Sequence, residues 1–276
     1  MFGSESLRCE RFRGRGRTRE SRSGDSLWYA TIFGNHSPVC TILYEIFAIM
    51  PTLYYILKPA VDRPDTGPVF PQVQKMSPGY DYKSPNSVHA LSRADGFPDF
   101  EPALDYFIVH SRARLSDLLS VSVIHGGFLI SKKFKEVVTA FNLVSHKFYP
   151  AKVSHKKQLH EYYWMHVISD FTDIVDYRRS SFFIYSNYAH NLGQIDITSK
   201  EELIQKRKEV KAANPGKTVT IWADRIILTN SFDRSLDLFE IGMFNSDTYI
   251  SPELKDAIVS NNISGCDISE ASNLIV

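Results

Sequence analysis

Cysteine is scarce in this chain: Cys9, Cys40 and Cys266 are the only three in 276 residues, odd in number and far apart. No two stand at a CxxC or other metal-ligand spacing, and a secreted disulfide scaffold would need them in pairs. Cys266 therefore reads as a plain thiol in a reducing compartment. An excess of one charge is missing too. Lys and Arg number 32 against 31 Asp and Glu, for a formal net charge of +1. That balance excludes the broad basic footprint of a dedicated nucleic-acid binder. No P-loop, GxGxxG or Gly-x-Ser-x-Gly occurs, so the usual signs of phosphate cradling and of a serine nucleophile are absent. His125-Gly126-Gly127 has the outline of an oxyanion-hole loop but no nucleophile elbow, and it reads as a turn. Internal repeats are also lacking.

What the chain does have is apolar surface. Hydrophobic residues make up 43% and aromatics 13%, ample for a substantial core, and 276 residues suffice for one large domain or two small ones. Residues 1–49 stand apart, with seven Arg and five acids, which leaves the remainder close to neutral. Residues 8–23, RCERFRGRGRTRESRS, carry almost no apolar side chains and cannot offset the entropy of ordering. They read as a disordered leader, or as translated sequence upstream of the true start. The alternative is an RG-type arm that grips RNA through arginine forks. The longest apolar run, residues 39–57, approaches a membrane span in length. Glu45 inside it and Pro51 across it count against insertion, since a charge at a helix centre in lipid costs about 2.5–3.5 kcal/mol. Splitting the run at Met50 gives a natural start. Leu53 to Lys58 then forms a strand, apolar on both faces, as an interior strand should be.

Residues 59–103 are rich in Pro, Gly, Asp and Ser, which predicts an extended segment wrapped over the domain, delivering Tyr80, Tyr82 and Phe97 as anchors. Leu115, Leu118 and Leu119 follow at helical spacing. After Ser131, Phe134, Val137, Val138 and Phe141 make an amphipathic helical stripe. HKFYPAKV, HEYYWMHVIS, SSFFIYSN and GQIDITS read as strands. Ser199 and Glu202 form a capping box for SKEELIQKRKEVKAAN, which Pro215-Gly216 ends. KTVTIWADRIILTNS reads as two short strands turning at Ala223-Asp224-Arg225. Ser251-Pro252 starts a last helix with Leu254, Ala257 and Ile258 on its apolar stripe. Strands and helices do not alternate strictly. The expected fold is therefore α+β over residues 50–276, one domain with a largely antiparallel sheet and three or four amphipathic helices.

Two patterns carry candidate chemistry. His160-Glu161 begins like a zinc-protease HExxH, but Trp164 stands where the second ligand must be. On a strand, His160, Tyr162, Trp164 and His166 share one face. That face suits either a partner, as an aromatic patch, or a helix packed over it. Asp170, Asp173 and Asp176 recur every third residue. Clustered carboxylates serve glycoside hydrolysis or calcium, but the calcium-loop pattern is absent, and Arg178 and Arg179 offer ion pairs. A metal-dependent or hydrolytic enzyme would need His160, His166, Asp170 and Asp173 to converge in one pocket.

Several blocks, in order, resemble one bacterial family. They are MPTLYYILKP, LDYFIVHSRARLSDLL, FKEVVTAFNLVSHKFYPAKV, YYWMHVISDFTDIVDYRRSSF, DLFEI and YISPELKDAIVSNNISGCDI. The sequence is similar to the immunity-protein family numbered eleven of polymorphic-toxin loci, from Met50 to the C-terminus. The resemblance implies a cytoplasmic protein that binds and neutralises a cognate toxin, without catalysis and without a cofactor or metal. Neither nucleic acid nor membrane is an expected partner. Tyr162, Trp164, His166, Asp170, Asp173 and Asp176 are the expected partner-binding residues.

Overall fold

Alternating polar and branched or aromatic side chains drive the two longest strands, and a two-residue turn joins them. The computed structural model describes residues 53–276 apart from Asp95, Tyr106, Tyr188, Asn245 and Ser246. The leader, the Arg-rich stretch and most of the 39–57 run lie outside the described residues. The described residues begin with β1 (Tyr55–Pro59), β2 (Val73–Met76), α1 (Val88–Ser92), β3 (Phe107–Val109), β4 (Leu118–Leu119), β5 (Gly127–Ser131) and α2 (Lys132–Val138). The long hairpin is β6 (His146–His155) and β7 (Gln158–Val167), followed by a 3-10 turn at Thr172–Ile174. Then come β8 (Ser181–Ser186), β9 (His190–Ile195), α3 (Lys200–Ala213), β10 (Val219–Ile227), β11 (Leu238–Glu240) and β12 (Thr248–Ile250). The chain closes with α4 (Pro252–Ser260), β13 (Cys266–Glu270) and β14 (Leu274–Ile275).

The protein is α+β, but the strands form three sheets where the sequence suggests one. Their orders are β11-β12-β1-β13, β14-β10-β8-β9 and β2-β3-β6-β7-β5-β4. Pairing is antiparallel except between β3 and β6 and between β10 and β14. β1 lies between β12 and β13, as its two apolar faces predict. Of the 39–57 run, the described part, Leu53 to Leu57, leads into and opens this strand. Among the described residues no helix is long and apolar enough to cross a membrane.

The six-stranded sheet divides two hydrophobic cores, and side-chain alternation decides which residue joins which. Leu118, Ile130, Met165 and Val167 enter one core with Phe134 and Val138 of α2. Leu119, Leu129, Tyr149 and Trp164 enter the other, with Val88 and Leu91 of α1 above them. This corrects the helical reading of Leu115, Leu118 and Leu119. Three leucines at helical spacing are outweighed by a strand that feeds both cores from adjacent residues. Gly127 opens β5 so close to its neighbour that a Cβ there would overlap the Met165 carbonyl oxygen.

Serine caps start all four helices among the described residues: Ser87, Ser131, Ser199 and Ser251 accept from the backbone N–H of Ala90, Phe134, Glu202 and Leu254. The returning arm of the box at α3 lands one residue early, with Glu202 Oε2 accepting from Thr198 N at 2.7 Å. α3 buries Leu203 and is tied down by Arg207, which donates to the Ile221 and Met243 carbonyls. From the Pro-rich stretch, Val69, Val73, Met76, Val88 and Leu91 join the second core. Tyr80 Oη donates to Ala103 O at 2.9 Å and accepts from Val88 N at 2.8 Å. It also holds β2 and the single turn α1, which its composition hides.

Candidate partner-binding site

β7 places His160, Tyr162, Trp164 and His166 on one face, as the two-residue period requires, and that face is covered. Trp164 is 1% exposed, and Tyr162 and His166 are each 7% exposed. Trp164 sits between Tyr149 of β6 and Leu129 of β5. Tyr162 Oη donates to Ser116 O at 2.9 Å, and burial raises its pKa. The His166 ring meets Phe97 edge-on at 5.6 Å and tilts against Tyr149 at 6.3 Å. Burial pushes the pKa of His166 down, which keeps the imidazole neutral. These three side chains are therefore interior groups and not exposed anchors. A strand's period says which residues share a face, but not whether another layer covers it.

The carboxylate half of the predicted site is at the surface. Past the end of β7, Asp170 Oδ1 accepts from Thr172 N at 2.9 Å and shapes the 3-10 turn. Lys200, the first residue of α3, brings Asp170 and Asp173 together: its Nζ lies 3.8 Å from Asp170 Oδ2 and 3.0 Å from Asp173 Oδ1. The Asp173 hydrogen bond is the main cause of the raised Lys200 pKa, which the Asp170 charge reinforces. The Asp170 and Asp173 side chains remain 56% and 77% exposed. Asp176 stands apart, 27% exposed and paired with Arg179 at 3.7 Å. The ion pairs read from the sequence thus go to Lys200 as well as to the neighbouring arginine.

The residues that would make an enzyme do not gather. His160 and His166 are six residues apart on one extended strand, roughly 20 Å, too far to share a ligand. Among the described residues no group of three His, Cys, Asp or Glu is placed to hold a metal. Burial pushes the Cys266 thiol up to about 12, so it is protonated at neutral pH and a poor nucleophile.

Two features escape the sequence reading. Asp117 is a mostly buried carboxylate that accepts from Ser131 Oγ at 2.6 Å, Ser264 N at 2.9 Å and Ser264 Oγ at 2.8 Å. Burial raises its pKa, but these hydrogen bonds outweigh that and hold it below the ordinary carboxylate value. Its partners come from distant segments, so no local pattern announces it. The second is Ala223-Asp224-Arg225. The structure shows one continuous strand, β10, whose pairing with β8 slips between Ala223 and Arg225. The break in alternation is a bulge and not a turn. It leaves Asp224 exposed beside a cleft of about 640 Å³.

A model of the Immunity protein family (Imm11) matches residues 54–273. The chain belongs to this family. The Imm11 match begins just before β1 and ends just before β14, so every described strand except β14 falls within it. No curated protein matches the chain.

Proposed function

We propose that this Imm11 chain binds a cognate toxin in the cytoplasm of the bacterium that makes both, and neutralises it by occupation, with no reaction of its own. The family match over residues 54–273 carries this reading. Tight inhibition of this kind buries about 1,200–2,000 Å² against the partner, with a few anchors supplying most of the energy. With Tyr162, Trp164 and His166 in the interior, the exposed carboxylates Asp170 and Asp173, with Asp176 at their margin, are the part of the predicted site available to a partner. An acidic rim speeds the approach of a basic protein and disfavours nucleic acid and anionic lipid.

The test is stoichiometry. The full chain is titrated against the toxin domain encoded by the adjacent gene, and residual toxin activity is measured. Protection should be complete near one equivalent and proportional below it. Protection by a hundredth of an equivalent would show turnover and overturn the reading. Asp170→Lys with Asp173→Lys should weaken toxin binding at least tenfold while leaving the melting temperature unchanged. Unaltered affinity would remove the rim from the interface.

A further inference from the structure

Lys58 and Pro59 of β1, Asp267 of β13 and the β10 bulge border the cleft of about 640 Å³. Its exposed apolar groups are Val61 and Phe70, each 53% exposed. Two large hydrophobic side chains left in water at one concavity are a feature of docking surfaces. Trp222 adds a third apolar wall, tilted against Tyr185 at 5.5 Å.

The polar groups of the cleft lean one way. Its one lysine, Lys58, is already matched, with Nζ 2.6 Å from Asp247 Oδ1. Asp224 is exposed and has no ion-pair partner among the described residues. Asp267 is 63% exposed and touches Arg63 at 3.4 Å. Asn273, in the same wall, has its Oδ1 buried without a donor. What the cleft leaves unmatched is therefore acceptors beside apolar surface. A cation with several donors and a flat face satisfies both, which favours guanidinium over ammonium. The same charge repels phosphate, so nucleic acid and anionic membranes do not fit.

We infer that this cleft receives an arginine-bearing, apolar-tipped loop of the toxin. This rests on the reading of the chain as a toxin-binding protein and gives that partner a chemistry. The bulge supports it from the fold. A register slip in the middle of a long strand re-aims Asp224 at the point where β10 meets the cleft, and bulges recur where a strand must present one side chain.

The experiment has two arms, both on the full chain. In the first, the tripeptide amide acetyl-Phe-Arg-Phe is titrated by NMR at low salt, with acetyl-Phe-Glu-Phe as the counter-probe. The arginine peptide should bind with millimolar Kd, Asp224→Asn with Asp267→Asn should weaken it at least fivefold, and the glutamate peptide should not bind. In the second, Asp224→Lys with Asp267→Lys is measured against the adjacent-gene toxin. A loss of at least thirtyfold with an unchanged melting curve is expected, and Val61→Ser should give a smaller loss. If the double variant binds toxin like the parent, the inference is overturned and toxin binding itself stands. If the parent captures no toxin although the peptide binds, the functional reading falls and the assigned occupant falls with it. A dimer of the parent that the double variant dissolves would assign the cleft to a second copy and also overturn the inference.

Discussion

Tyr162, Trp164 and His166 are close in sequence to Asp170 and Asp173, yet the two groups lie on opposite sides of the solvent boundary. The first three share the covered face of β7, with Trp164 and His166 against Tyr149, Leu129 and the loop that carries Phe97. The second group rims the surface, held by one lysine. The contrast recurs between two aspartates. Asp117 is mostly buried and accepts from two serine hydroxyls and a backbone N–H, so it ties α2 and β4 to the approach of β13. Asp173 accepts from one lysine and is bathed in water. The same residue type therefore stabilises the fold in one place and stays exposed to solvent in the other. Burial and donor count, and not the identity of the side chain, decide which.

The comparison can be broken by measurement. The largest effect should come from Trp164→Ala, which empties the centre of the second core. A loss of about 3–5 kcal/mol in chemical denaturation is expected, with toxin affinity reduced no more than unfolding accounts for. A stable variant with a specific binding defect would return Trp164 to the interface. Next is Asp117→Asn, which keeps the shape but removes the charge that its donors serve. A loss of about 2 kcal/mol near pH 7 is expected, because hydrogen bonds to a charged group contribute about 1.5–3 kcal/mol. The folded carboxyl of Asp117 is depressed, so this contribution is present above the unfolded carboxylate pKa and fades as pH falls through the folded one.

His166 sharpens the same contrast through pH. Its folded pKa lies below the ordinary 6.5, so the unfolded chain takes up a proton that the fold refuses. Stability from this source is full above pH 6.5 and declines below it, and His155, lowered chiefly by its own burial, acts in the same direction. The melting temperature should drop between pH 7.5 and 5.5, and His166→Phe should flatten part of that drop. An unchanged slope would mean that His166 takes its proton inside the fold. The smallest effect belongs to Asp173→Ala, where less than about 0.5 kcal/mol of stability is expected to change. A loss above 1 kcal/mol in the same denaturation assay would make the rim structural.

Much of the fold is legible because local physics and tertiary packing agree there. The alternation in HKFYPAKV and HEYYWMHVIS gives the β6–β7 hairpin, and serines ahead of apolar stripes mark the starts of α2, α3 and α4. Legibility fails where a long-range partner overrides the local pattern. Leu118 and Leu119 are pulled into a strand by β5, and the break at Asp224 is spanned by pairing with β8 on both sides. The candidate site divides in the same way. The carboxylates at 170, 173 and 176 are polar enough for their exposure to be read directly. The aromatic face of β7 suits a core as well as an interface, and the wall that covers it comes from elsewhere in the chain.

By itself, the sequence determined the α+β class, the family and the set of side chains that share the inner face of β7, because periodicity and residue order are properties of the chain alone. Tertiary structure decided that this face is an interior, that strands expected in one sheet divide among three, and that Asp224, Asp267, Val61 and Phe70 border a single cleft. Burial and convergence depend on which distant segments come to rest against one another, and no local pattern records that.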